Sequence, residues 1–306
     1  MSDQNALPPA DSVVALAEGE AAGAGRARSL ASDAWRDLRR NPIAIISAVI
    51  IVILVLMAVW PSLFTDADPR ACDLARSLQP PSSEAWFGYN LQGCDIYART
   101  IYGAKASLQV GLYSVIMVAV IAVVLGMLAG YYGGWADAII ARVTDIVLGI
   151  PLLLGAIVIL SSVTLTGVWP VVLALGLLGW TSPARIVRSS VISAKGQDYV
   201  QAARMLGANN RRIMTRHITP NAMAPVIVVL TIALGSFISV EATLSFLGIG
   251  LKGGEISWGA DIADATGRVR NALGPVLFPS TFLALTVLAF IMLGDAVREA
   301  FDPKLR

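Results

Sequence analysis

The chain has 306 residues, 14% charged and 56% hydrophobic, with a mean hydropathy of +0.69. Soluble domains carry about 25% charged residues, so an ordinary cytosolic globule and a disordered chain are both excluded. The net charge of +2 excludes nucleic-acid binding by bulk charge, and one His with two Cys leaves little room for a His/Cys metal site.

What remains is an all-α polytopic membrane protein. A membrane-crossing helix needs roughly 20 apolar residues, and lipid cannot satisfy an open backbone. Residues 1–41 are polar and Ala/Gly-rich, and read as a mobile tail ending in the basic stretch Arg36 to Arg40. No secretory signal is expected, because the first apolar run starts too deep in the chain. That run, within 42–64, is the first span. Residues 65–106 form an extracytoplasmic loop holding Cys72 and Cys94. Five further spans are expected at 107–130, 136–162, 166–187, 222–246 and 276–297, inside a 107–298 core that precedes a 299–306 tail.

Orientation follows from Lys and Arg. With the N-terminus cytoplasmic, the inner segments hold sixteen basic residues (26, 28, 36, 39, 40, 142, 185, 188, 195, 204, 211, 212, 216, 298, 304, 306) and the outer loops seven. The positive-inside rule then places both termini in the cytoplasm. Cys72 and Cys94 fall outside, where an oxidising compartment permits a bridge. That bridge would close a loop of about 20 residues and contribute ~3 kcal/mol. Two unrelated thiols are the alternative.

Catalytic motifs are missing. Every Lys follows a residue other than Gly, so no G-x-x-x-x-G-K-[ST] phosphate loop exists. A single histidine, His217, rules out H-E-x-x-H, and no G-x-S-x-G elbow occurs.

The 196–220 segment is the informative loop. Asp198 is placed to cap a helix, with Gln201 at the capping-box position. Gly207 is placed to stop that helix and Asn209 to cap a second, which Pro220 helps terminate near His217. Tyr199, Ala202, Ala203 and Leu206 share one side of the first helix. Residue physics leaves two readings open. Arg211, Arg212 and Arg216 rest against lipid phosphates, or the small Ala202 and Ala203 admit a partner's groove.

Gln201-Ala202-Ala203-x-x-x-Gly207 followed by His217-Ile218-Thr219-Pro220-Asn221 resembles the EAA loop of ABC importer permeases. Trp86-Phe87-Gly88 with Gly93 to Arg99, Glu241 to Gly248 with Ser257-Trp258-Gly259, and Asp295 to Arg306 resemble the peptide/nickel branch, most of all its C-type permease. Gln201 replaces the family's usual Glu, Thr219 its usual Leu, and Cys94 a usual basic residue.

The resemblance implies a type I ABC importer permease (MetI-like) fold with six transmembrane helices in a prokaryotic plasma membrane. It implies a homologous second permease, two cytoplasmic ABC ATPase subunits, an extracytoplasmic peptide-binding protein and a peptide substrate. ATP and Mg would be bound by partner subunits, with no cofactor, metal or catalytic residue in this chain. ATPase coupling would fall to Asp198, Tyr199, Gln201, Ala202, Ala203, Gly207, Arg211, His217 and Pro220. The same architecture importing a nickel chelate, glutathione or another small solute is one alternative. An ATP-independent secondary transporter or channel is another.

Ionisable residues inside spans are functional suspects by default. Arg142 and Asp145 lie three apart and are expected to neutralise each other on one helix face. Pro151 is expected to bend the third span. Glu241, Asp145, Trp258 and Asp261 are candidates for the translocation path or gate, with a buried structural role as the competing reading for Glu241. Gly126 and Gly130 form a small-xxx-small pair that favours close helix packing.

Overall fold

The computed structural model describes residues 30–301. Most of the expected N-terminal tail, the end of the C-terminal tail, and Arg26, Arg28, Lys304 and Arg306 lie outside the described residues. Helix α1 (Leu30–Leu38) packs on the final helix, with Arg39 stacked 4.8 Å from the centroid of the Trp35 ring. Asn41 starts α2 (Pro42–Val59): its side-chain oxygen accepts from the Ile43 amide at 2.9 Å, and Pro42 occupies the first turn, where no amide hydrogen is needed. Only a stripe of α2 is buried, Ala44, Ser47, Leu54 and Met57. Its other faces expose Ile45, Ile46, Val49, Val52 and Ile53, as a lipid-facing helix requires.

The central post is α3 (Ile96–Tyr132), 37 residues long. At ~1.5 Å per residue it runs about 55 Å, well beyond a hydrocarbon core of ~30 Å. It begins at Ile96 rather than at 107 because Asp95 caps it, accepting from the Tyr97 amide at 2.7 Å and the Ala98 amide at 3.3 Å. Hydropathy alone conceals that start, since Arg99 and Lys105 lie in the extension.

Two spans are broken. Helices α4 (Gly134–Leu148) and α5 (Leu152–Ser162) meet at 85°. The cause is local: Pro151 disfavours helical geometry at Ile150 and lacks an amide hydrogen. Helices α6 (Trp169–Gly179) and α7 (Thr181–Lys195) meet at 45° around Trp180. α7 continues to Lys195, past the expected limit of 187. Helices α9 (Ala224–Phe246) and α11 (Gly274–Phe301) are continuous, so among the described residues four helices are long and apolar enough to cross unbroken, or six if each bent pair counts as one.

Helices α3 and α7 cross closely. A Cβ on Gly126 would sit 2.7 Å from the Ala184 carbonyl oxygen, and one on Gly130 would sit 2.8 Å from that of Arg188. The expected small-residue pair is therefore what lets these helices touch. Short helices finish the two ends of the bundle: α8 (Asp198–Met205) at one, α10 (Trp258–Ala265) at the other.

Candidate functional site

The 198–222 loop is fastened to the ends of α3 and α7. Val200, Ile213, Ile218 and Ala222 share a core with Met127, Tyr131, Val187 and Val191. Polar contacts add to it: the Tyr131 hydroxyl donates to Asn210 Oδ1 at 2.7 Å, and the Lys195 ammonium donates to the Tyr131 carbonyl.

Within the loop, α8 ends in a Schellman turn. Gly207 has φ +80°, its amide donates to the Arg204 carbonyl at 3.0 Å, and the Ala208 amide donates to the Ala203 carbonyl at 3.1 Å. Asn209 caps the next turn (Asn210–Arg212) by accepting from the Arg212 amide at 2.8 Å. Ile213–Ile218 follow as π-helical turns, then Thr219–Ala222 as a short α turn. The wider π turn accommodates Pro220, which cannot donate, and Thr219 Oγ1 bonds back to the Met214 carbonyl at 2.8 Å.

Several expectations for this loop need correction. The cap of α8 is Gln197, without a side-chain bond, and Asp198 sits in the first turn, where its charge favours the helix dipole. Gln201 closes no capping box. Ala203 is buried with Val200 against the chain's own core, so it does not share the exposed side with Tyr199 and Ala202. Pro220 lies within a helical turn and terminates nothing. His217 is half-buried, its carbonyl held by the Asn221 side chain at 2.8 Å, and Arg211 is exposed. The exposed apolar tip is Met205 and Leu206, 91% and 88% accessible.

The opposite end is sealed by polar groups. Glu241 is completely buried and accepts from Ser245 Oγ at 2.8 Å, Ser257 Oγ at 3.1 Å and Ser107 Oγ at 3.3 Å. This cage joins α9, α3 and the start of α10. Trp258 is fully buried and donates from Nε1 to the Thr100 carbonyl at 2.8 Å. Asp261 pairs with Arg99 of α3, whose Nε donates at 2.9 Å. Burial pushes the Asp261 carboxyl up, the Arg99 guanidinium opposes that, and nearby Asp264 adds to the upward push. Glu241 and Trp258 thus face no open passage in this conformation. Cys72 and Cys94 are joined by a disulfide at the same end.

Asp145 pairs with Arg185 of α7 at 2.6 Å, not with Arg142. The packing of α4 against α7 brings in a partner 40 residues away in sequence, ahead of the neighbour on the same helix. The fork of Arg188 on Asp137, with its second bond at 2.6 Å, escaped sequence reading because no local pattern links those residues. Among the described residues no cluster of His, Cys, Asp and Glu could hold a metal.

Residues 122–306 match the family described as binding-protein-dependent transport system inner membrane component, and residues 29–81 match the N-terminal transmembrane domain of oligopeptide transport permease C. The dipeptide transport system permease protein DppC of Alkalihalophilus pseudofirmus is 37% identical over 274 residues, covering 90% of each chain. The oligopeptide transport system permease protein OppC of Bacillus subtilis is 35% identical over 296 residues, covering 94% of this chain and 97% of that one. The glutathione transport system permease protein GsiD of Pectobacterium atrosepticum is 36% identical, covering 89% and 90%. Among solved structures, the MetNI methionine ABC transporter in inward-facing conformations shares the fold, with a TM-score of 0.52 at 17% identity, covering 66% of this chain and 96% of that one. The chain therefore belongs to the family of binding-protein-dependent transport system inner membrane components, as a multi-pass inner-membrane protein with the ABC importer permease fold.

Proposed function

We propose that the chain is the permease subunit of an ATP-driven peptide importer, forming half of the path beside a homologous second permease. Both termini lie in the cytoplasm, following the basic-residue bias. Two ATPase subunits, which bind the ATP and Mg, dock on the 198–217 loop, and an extracytoplasmic binding protein delivers the peptide. The carrying observation is the two-sided character of α8. Val200 is buried in a core shared with α3 and α7, and Ala203 is buried three residues on, while Met205 and Leu206 stand almost fully in the open. A push on the exposed tip therefore has a packed route through Val200 to α3 and α7, which supports rigid-body alternation of access. The dipeptide and oligopeptide names of the relatives support peptide cargo. The glutathione relative favours a second reading, a small peptide-like thiol, with the same machinery.

The test is purification from detergent of wild-type complex and of Leu206→Asp. Wild-type protein should bring ATPase subunits with it, and the variant should lose them while keeping its helical content. A wild type that carries no ATPase, or a variant that transports normally, overturns the coupling assignment.

A further inference from the structure

A cavity of about 620 Å³ opens at the disulfide end of the bundle. Asp66, Asp68 and Arg70 reach it from the segment after α2; Tyr102, Lys105 and Gln109 line it from one face of α3; Glu255 joins from the segment before α10. Its shape is built: the Arg70 amide donates to Asp68 Oδ1 at 2.8 Å, and the Arg70 guanidinium donates to the Gly254 carbonyl at 3.3 Å, tying two of the three segments together. Both charge signs share this space, yet no two of these five charged side chains form an ion pair. Below the cavity the same face of α3 continues as the exposed Leu112, Ile116 and Val120.

We propose that this cavity is a subsite for the charged ends of a short zwitterionic peptide as it passes from the binding protein toward the membrane; this rests on the peptide-import reading above. The acids offer acceptors to a terminal ammonium, Lys105 and Arg70 offer donors to a terminal carboxylate, and Tyr102 and Gln109 offer hydrogen bonds to the amide between them. The volume lies in the range of roughly 300–1,000 Å³ that small ligands fill. A protein-docking hot spot centres instead on aromatic and apolar anchors, and Ile256, the large aliphatic side chain of the lining, is itself buried.

The experiment uses the complete importer in vesicles with its binding protein. Uptake is measured for tritiated alanyl-alanine, its C-terminal amide and its N-acetyl form, in wild type, Lys105→Gln and Glu255→Gln. The preference of each variant is read relative to wild type, so the selectivity of the binding protein cancels. Lys105→Gln should raise the KM for the free dipeptide roughly fivefold, the size of one exposed charge pair, and leave the amide unchanged. Glu255→Gln should do the same with respect to the N-acetyl form. Preferences that stay at the wild-type ratio overturn the subsite. So does an equal loss for all three cargoes with weakened binding-protein affinity, which makes the cavity a protein-docking face. A wild type that imports neither alanyl-alanine nor a longer peptide refutes the peptide reading itself, and the subsite with it.

Discussion

The two ends of the bundle carry the short helices α8 and α10 and hold them differently. At α10, polar bonds are added to the apolar burial of Trp258: Arg99 on Asp261, three serines on Glu241, and the Trp258 indole on a backbone carbonyl. At α8 the fastening is apolar and one-sided, through Val200, and the other side is left uncovered. Buried hydrogen bonds to charged groups demand fixed geometry and penalise any displacement that leaves a partner unmet. A greasy one-sided contact tolerates sliding and leaves a surface for another molecule. The α10 end thus holds its geometry with bonds made inside the chain, and the loop end leaves an apolar tip uncovered.

The largest effect should come from breaking that polar fastening. Arg99→Ala strands the Asp261 carboxylate in a buried site and should cost about 3–5 kcal/mol, seen as a large fall in the unfolding midpoint in detergent. Arg99→Met with Asp261→Leu together should recover most of that loss, because an apolar pair of similar volume needs no partner. If the double variant is as unstable as the single one, the seal depends on the charges themselves rather than on their mutual satisfaction.

The difference between the ends also explains what could be read from the sequence. The spans were legible because an apolar run announces itself over about 20 residues. Pro151, Gly207 and Asn209 were legible because bends, left-handed turns and caps are decided within a few residues. The start of α3 was missed because the helix outruns the lipid, where hydropathy is silent, although Asp95 offered the signal of a cap. The facing of Ala203 is not legible because which side of an eight-residue helix is buried depends on what it packs against, not on the helix itself. The pairing of Asp145 with Arg185 and of Glu241 with Ser107 joins residues 40 and 134 apart, and nothing local encodes either choice. The kind of cargo and the docking partners came from the motif resemblance, not from residue physics.

A smaller effect is expected at the turn that aims α8. Gly207 adopts φ +80°, and a Cβ there would meet no neighbouring atom within 4 Å. Gly207→Ala therefore meets backbone strain alone and should destabilise by about 1 kcal/mol. Gly207→Asn should cost less, since Asn tolerates the left-handed region better than Ala. Thermal unfolding of the three proteins orders them; an Ala variant equal to wild type would mean the loop end relaxes around the turn instead of being held by it.

The smallest effect on stability is expected at the tip itself. Leu206 packs on almost nothing in the isolated chain, so Leu206→Ser should shift the unfolding free energy by less than about 0.5 kcal/mol, the usual range for surface substitutions. The same change removes apolar area from the surface assigned to the ATPase, where a large side chain in a partner's pocket is worth about 1–3 kcal/mol. The two measurements must separate: unchanged unfolding of the free subunit, and weaker retention of the ATPase on the assembled complex by roughly tenfold. A variant that loses stability and association in proportion would show that Leu206 supports the loop from within. The contrast between a self-satisfied end and an end completed by a partner would then fail at the residue that defines it.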